Sequence, residues 1–332
     1  MSATADAQIL FAGPSALLEL VRGGQVKPRE LVELCLRRIE TLDPRLNAFR
    51  TTMAEEALAE AEAMTDLNAP LAGVPIAIKD DTPVAGQTMT RGSRSYGAPQ
   101  STDAEIVRRL RTAGAIPVGI TNVPELTIFP WTASHANGIT RNPWDATRTP
   151  GGSSGGSGAA VAAGLVPAAT GSDGGGSIRI PASCCGLVGM KPTRGRVTMQ
   201  PAREAWLGLS VYGALTRSVR DSALLLDVMS GAAEGETAIA PPPTGSFLDA
   251  AAAPPGRLRV GVSRKIPPGV IAKLASDQRQ AWESVGRLLE QLGHEVLEHD
   301  PDYGFSASLV FTQTWLRGIY EESLQLPDRS RL

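Results

Sequence analysis

Along the first fifth of the chain the apolar positions recur every three or four residues. Within 28–42, Leu31, Leu34, Cys35, Ile39 and Leu42 form such a stripe, the mark of an amphipathic helix. Pro28 suits the first turn of that helix and Pro14 can open an earlier one. Residues 54–64 repeat the pattern with Ala and Glu, so 14–66 reads as helical throughout. The period then changes. Val74-Pro75-Ile76-Ala77-Ile78, bounded by Gly73 and Asp80, predicts a short buried strand. A helix over 104–113 and a strand over 115–120 follow, then a small-residue helix over 159–164 and a strand over 166–170. Residues 218–230 read as helix, and the Ala/Pro/Gly-rich stretch 231–256 as loop or linker. A strand over 258–262, a helix over 276–292 with Ser276 as N-cap, a strand over 295–297 and a last helix over 307–324 complete the pattern. Alternating helices and strands predict a sheet with helices on its faces. No internal repeat is present.

Composition narrows the function. Hydrophobic residues make up 42% of the 332, as in soluble globular proteins. Lys and Arg number 32 against 34 Asp and Glu, which argues against a broad surface for nucleic acid or anionic membrane. No uninterrupted apolar run reaches about 18 residues, and no basic N-terminal region precedes one, so a cytoplasmic protein without membrane association is expected. Cys35, Cys184 and Cys185 offer neither a disulfide framework nor zinc-ligand spacing, and are expected as buried, inert thiols.

The run 150–158 is almost all Gly and Ser, which suits a flexible linker. It leads directly into core-like elements, however, and a second glycine cluster follows at Gly174, Gly175 and Gly176. Glycine there more plausibly permits close approach of backbone segments. A G-x-S-x-G string occurs in two registers, around Ser153 and around Ser154. In an α/β-hydrolase that turn follows a strand. Here it follows the polar, proline-punctuated stretch 141–150, although His294 and His299 stand in the right order for that fold. A phosphate loop would close on Lys followed by Ser or Thr, whereas this one closes on Gly158-Ala159-Ala160.

Taken together, Gly151-Gly152-Ser153-Ser154-Gly155-Gly156-Ser157, Gly171-Ser172-Asp173-Gly174-Gly175-Gly176-Ser177-Ile178-Arg179-Ile180-Pro181 and Cys185-Gly186-Leu187-Val188-Gly189-Met190-Lys191-Pro192-Thr193 resemble the amidase signature in order and spacing. Gly73-Val74-Pro75-Ile76-Ala77-Ile78-Lys79-Asp80 is similar to that family's lysine-bearing strand, and Asn142-Pro143-Trp144-Asp145 to the run before its glycines. The resemblance covers about residues 10–300. It implies an α/β fold with a large mixed β-sheet sandwiched between helices. It also implies a single domain over 1–332, with N-terminal helices (1–66), a catalytic core (67–230) and a C-terminal part (257–332). Family chains run longer, so C-terminal truncation is expected, with an exposed sheet edge and a homodimer left open as an assembly.

Residue by residue, the resemblance implies Lys79 as base, Ser153 as a bridging serine held by a cis peptide, and Ser177 as nucleophile. The reaction is hydrolysis of a small-molecule carboxylic amide through an acyl-enzyme, with no metal or organic cofactor. A free lysine is an ammonium at neutral pH, and only the neutral amine can accept a proton. Apolar surroundings such as 74–78 favour the neutral form, whereas a neighbouring carboxylate opposes it. Strand alternation turns Asp80 away from Lys79, and Asp81 is expected to lie beyond the strand's end, clear of the amine. Gly174, Gly175, Gly176 and Ser177 would offer backbone N–H groups to an oxyanion, braced by Asp173 and Arg179.

Phe129 and Trp131 are candidates for an acyl pocket, with core packing the alternative. Ser172 and Ser183 are read as structural, Ser154 and Ser157 as loop hydrogen-bonders or N-caps, and His135 as a loop residue. The stretch Asn122 to Trp131 lacks the Asp-Glu-Phe-Ala-Met-Gly-like run of the transfer-RNA amidotransferase branch, which favours a stand-alone amidase over a glutaminase-type subunit. A catalytically silent member of the family is the remaining alternative.

Overall fold

The computed structural model describes residues 8–202, 205–268, 270–304 and 306–332. They form two compact units, one reaching to residue 251 and including 319–332, the other comprising 252–318.

The first unit contains strands β1 (Phe49–Thr52), β2 (Pro75–Lys79), β3 (Ile116–Thr121), β6 (Ala168–Asp173), β7 (Val188–Gly189) and β8 (Val211–Thr216), with a small hairpin of β4 (Ala133–Ser134) and β5 (Gly138–Ile139). Its six-stranded sheet runs β1-β3-β2-β6-β8-β7. β2 lies parallel to both β3 and β6, while β1, β8 and β7 pair antiparallel. The sheet is therefore mixed, as expected. β2, β3, β6 and β8 are buried along their whole length, the condition that makes central strands read as continuous apolar runs.

Successive residues serve opposite faces. Ile76 and Ile78 pack with Ile106, Val107 and Leu110 of α4 (Glu105–Thr112) and with Leu225, Leu226 and Met229 of α7 (Val219–Met229). Ala77 packs on the other face with Leu17 and Val21 of α1 (Pro14–Arg22), Leu31 and Leu34 of α2 (Pro28–Leu46), Ala57 and Ala61 of α3 (Ala54–Ala63), and Ala159 to Val161 of α5 (Gly155–Ala162). The sheet lies between helices.

Four differences from the sequence pattern are informative. β1 interrupts the stretch read as helical, because α2 ends where Asn47 takes a left-handed conformation (φ 53°) and its N–H donates to the Asp43 carbonyl. α5 starts at Gly155, earlier than the apolar pattern indicates. A Cβ on Gly156 would lie 2.5 Å from Ala48 O and from Asn122 N and O, so glycine is what lets this turn of helix sit against β1 and β3. β8 was not legible, its apolar run being split by Gly213, where a Cβ would come within 2.7 Å of Met190 O. The stretch read as loop, 231–256, holds a short helix, α8 (Phe247–Ala252), whose first N–H groups donate to the Asp227 carboxylate.

In the second unit β9 (Arg259–Val262) and β10 (Glu295–Glu298) pair in parallel, joined through α9 (Ser276–Gln291). This is a βαβ crossover. The last long helix, α10 (Ala307–Leu324), has the predicted bounds. Among the described residues no helix is long and apolar enough to cross a membrane.

Candidate active site

Lys79 is the last residue of β2, and the flanking strands carry its surroundings. Its side chain is 0% exposed. Its backbone N–H donates to Thr170 Oγ1 on β6. At the end of the side chain, Nζ lies 2.9 Å from Ser153 Oγ, 2.7 Å from Ser172 Oγ and 3.5 Å from the Ser172 carbonyl. The peptide bond Gly152–Ser153 is cis. The sequence assignment of lysine and bridging serine thus names two groups in hydrogen-bonding contact.

Ser177 is buried at 7% exposure, and its carbonyl accepts from Ser154 N–H at 3.2 Å, tying the two serine loops together. Asp173, fully buried at the end of β6, organises the second loop. Its carboxylate accepts from Gly176 N–H (2.7 Å) and Ile178 N–H, and from Arg179 Nε and Nη2, both at 2.9 Å. Burial pushes the Asp173 carboxyl up, but the Arg179 hydrogen bonds, those from the loop amides and the guanidinium charge outweigh it and hold the group below the usual carboxylate range. The Asp–Arg brace stands as expected. The oxyanion donors need revision, since Gly176 N–H already serves Asp173. Gly174 and Gly175 are less enclosed than Gly176.

Asp80 faces away from Lys79. It pairs with Arg50 at 3.2 Å and accepts from Thr90 and Gly92, and burial raises its carboxyl above the usual range against those contacts. Asp81 contradicts the expectation. The strand does end at Lys79, but the chain turns there and returns the side chain, so that Asp81 Oδ2 lies 3.1 Å from Lys79 Nζ. Ser172 is not merely structural either, because its hydroxyl contacts Lys79 and donates to Asp81 Oδ2. A sequence signal existed for Ser172 alone: it lies one residue from Asp173 in the second motif and two from Thr170, on the same side of β6. Nearby, Glu322 is half-buried, and that desolvation raises its carboxyl despite Arg91 at 3.9 Å.

Phe129 and Trp131 are stacked, with ring centroids 4.5 Å apart, and are 40% and 44% exposed, so core packing is not their role. Their backbone presses on the first serine loop. A Cβ on Gly152 would lie 2.6 Å from Phe129 O and from Trp131 N and O. Thr132 Oγ1 donates to the Gly151 carbonyl. Ser157 bonds the Thr170 carbonyl, and Ser154 stands at the start of α5 without capping it through its side chain. Of the cysteines, Cys35 and Cys185 are buried as expected but Cys184 is exposed. Burial raises the thiols of Cys35 and Cys185, the latter to about 12, and partial enclosure of the Cys184 sulfur raises that thiol too, which disfavours thiolate chemistry. His135 is an exposed loop residue whose carbonyl accepts from Arg94.

A buried amine lies against a serine hydroxyl, and a second serine, Ser177, stands on a glycine turn tied by its carbonyl to the first serine loop. The sequence matches the Amidase family over residues 30–322, and the chain belongs to that family, whose members are hydrolases acting on amide bonds. AmiB2 of Mycobacterium bovis, a protein assigned as an amidase, is 49% identical over 320 residues, which is 95% of this chain and 68% of that protein. The structure of a 6-aminohexanoate cyclic dimer hydrolase complexed with substrate superposes with a TM-score of 0.90 at 36% identity, covering 97% of this chain and 70% of that one. The peptide amidase of Stenotrophomonas maltophilia gives 0.80 at 28% identity, over 94% and 68%. The protein is accordingly an amide hydrolase with the mixed α/β/α fold of these enzymes.

Proposed function

We propose that this protein hydrolyses small carboxylic amides through an acyl-enzyme, with Ser177 as nucleophile, Ser153 as proton relay and Lys79 as base. Ser177 Oγ attacks the amide carbon and its proton passes to Ser153, whose own proton passes to Lys79. The tetrahedral oxyanion is met by backbone N–H groups of Gly174, Gly175 and Ser177. Collapse expels ammonia or an amine, which takes a proton back along the same path. Water, activated in the reverse sense, then releases the carboxylate and restores Ser177. The observation that carries this reading is the 2.9 Å contact between Lys79 Nζ and Ser153 Oγ in a site closed to solvent.

Phe129 and Trp131 would wall the acyl or leaving-group pocket. The relatives that act on a cyclic dimer of 6-aminohexanoate and on peptides favour short aliphatic and peptide-like amides as the first substrates to try. The grouping of the whole chain as one amidase-signature domain, a homodimer and a cytoplasmic location complete the proposal, the last supported by three unpaired cysteines.

A fluorophosphonate probe tests it. Labelling of the wild type that vanishes in Ser177→Ala and collapses in Lys79→Ala supports the assignment, together with turnover of at least one amide in the panel. Well-folded protein that neither labels nor turns over any amide would instead favour a silent family member.

A further inference from the structure

We infer that Asp81 sets the direction of the proton relay: acting through Ser172, its carboxylate keeps the lone pair of Lys79 turned to Ser153. The inference rests on the proposed roles of Lys79 and Ser153, and it makes Asp81 a positioning residue.

The argument is a count of donors and acceptors. An ionised carboxylate only accepts. Ser172 Oγ is within hydrogen-bonding distance of Asp81 Oδ2, so the Ser172 hydroxyl spends its single proton there. Towards Lys79 Nζ, 2.7 Å away, Ser172 Oγ can then act only as an acceptor. The Ser172 carbonyl, at 3.5 Å, is an acceptor by nature. A neutral amine has two N–H groups and one lone pair. Asp81 Oδ2, 3.1 Å from Nζ, is a third acceptor, and with both N–H groups turned to these acceptors the lone pair is left for Ser153 Oγ, the remaining hydroxyl in contact. Without the Asp81 carboxylate, the Ser172 proton could turn to the amine and occupy the lone pair that the relay needs.

Asp81 is itself held in place. Thr82 Oγ1 donates to its Oδ1 at 3.1 Å, and the Tyr212 hydroxyl contacts its carbonyl at 3.4 Å. Its Oδ2, 3.1 Å from Nζ, also stabilises the ammonium formed once the proton arrives. A carboxylate behind a catalytic imidazole orients the base and offsets its charge in the same two ways. Among the described residues Glu322 and Tyr212 also interact with this pair, and Arg91 in turn faces both of them.

Asp81→Asn tests the inference. The amide both donates and accepts, so the one-way order is lost along with the charge. Thermal unfolding is expected to change little, and kcat to fall on the order of 100-fold with a smaller change in KM. The acidic limb of the kcat/KM profile is expected to move to lower pH, because a charge favouring the ammonium has gone. Ser172→Ala should lose comparable activity and Ser172→Thr should regain most of it. The Asp81→Asn/Ser172→Ala double variant should lose no more than the worse single one.

Wild-type kcat and an unshifted profile in Asp81→Asn, beside an inactive Lys79→Ala, overturn the inference and leave the proposed function standing. Full activity in Lys79→Ala overturns both. If Asp81→Asn does not fold, the serine pair decides, and wild-type activity in Ser172→Ala overturns the inference.

Discussion

Lys79 Nζ and Ser153 Oγ stand 2.9 Å apart although 74 residues separate them. The lysine arrives on a central strand, fixed by pairing on both sides. The serine arrives on a glycine turn, and that turn is held by the backbone of 129–131 rather than by a strand or helix of its own. The precision of the contact therefore depends on how closely two loops pack.

Gly152→Ala measures that dependence. The added Cβ meets three backbone atoms at 2.6 Å, none of which can swing aside as a side-chain tip can. A loss of about 1–3 kcal/mol in chemical unfolding is expected, with probe labelling of Ser177 slowed at least about tenfold. Gly286→Ala is the control. It lies within α9 with nothing inside 4 Å of its Cβ position, so unfolding should shift by about 0.4–1 kcal/mol toward greater stability.

The exposed stack of Phe129 and Trp131 predicts a binding effect. Trp131→Ala removes one face of the proposed pocket without touching Lys79 or either serine. KM for a bulky or aromatic amide is expected to rise about tenfold with kcat changed less, while small aliphatic amides are less affected. Steady-state kinetics on the two substrate classes check it, and equal losses on both would remove these rings from the pocket.

Asp173 predicts an acid-sensitive loop. Its carboxyl is held lower in the folded chain than in the unfolded one, so it adds stability above the unfolded value of about 3.9. That stability is lost as the pH falls through the folded value. Urea unfolding should therefore find Asp173→Asn less stable than wild type at neutral pH, with the gap closing under acid. Turnover at neutral pH should fall too, since Gly176 and Ile178 lose the acceptor that shapes the loop.

The Arg50–Asp80 pair makes the opposite prediction about charge. Asp80 is fully buried, and Arg50 is its ionic partner at 3.2 Å. Arg50→Met strands a buried carboxylate and should cost about 3–5 kcal/mol at neutral pH. Burial already raises the Asp80 carboxyl, so mild acid protonates it and should narrow the loss.

Much of this protein can be derived from the residues in order. Ile76, Ala77 and Ile78 announce a strand buried on two faces, and Leu31, Leu34, Cys35 and Ile39 a helix that covers one of them. Lys79, Ser153 and Ser177 stand in motifs that resemble the amidase signature, and it is that resemblance which implies the roles proposed for them. Such signals are local, since periodicity and turn chemistry depend on neighbours in sequence. β1 escaped because Phe49 is its one apolar residue and helices flank it, and β8 because Gly213 breaks its run, which leaves little period to detect.

Tertiary structure alone decided the contacts of Asp81, Ser172 and Gly176. Strand alternation governs side-chain direction only while the strand lasts, and Asp81 lies past its end, where the turn brings the carboxylate back to the amine. Whether Ser172 accepts from that amine, or Gly176 spends its N–H on Asp173, depends on which groups other segments bring within about 3 Å. A hydrogen bond has a direction that its two partners set jointly, so it could not be read before the chain had brought them together.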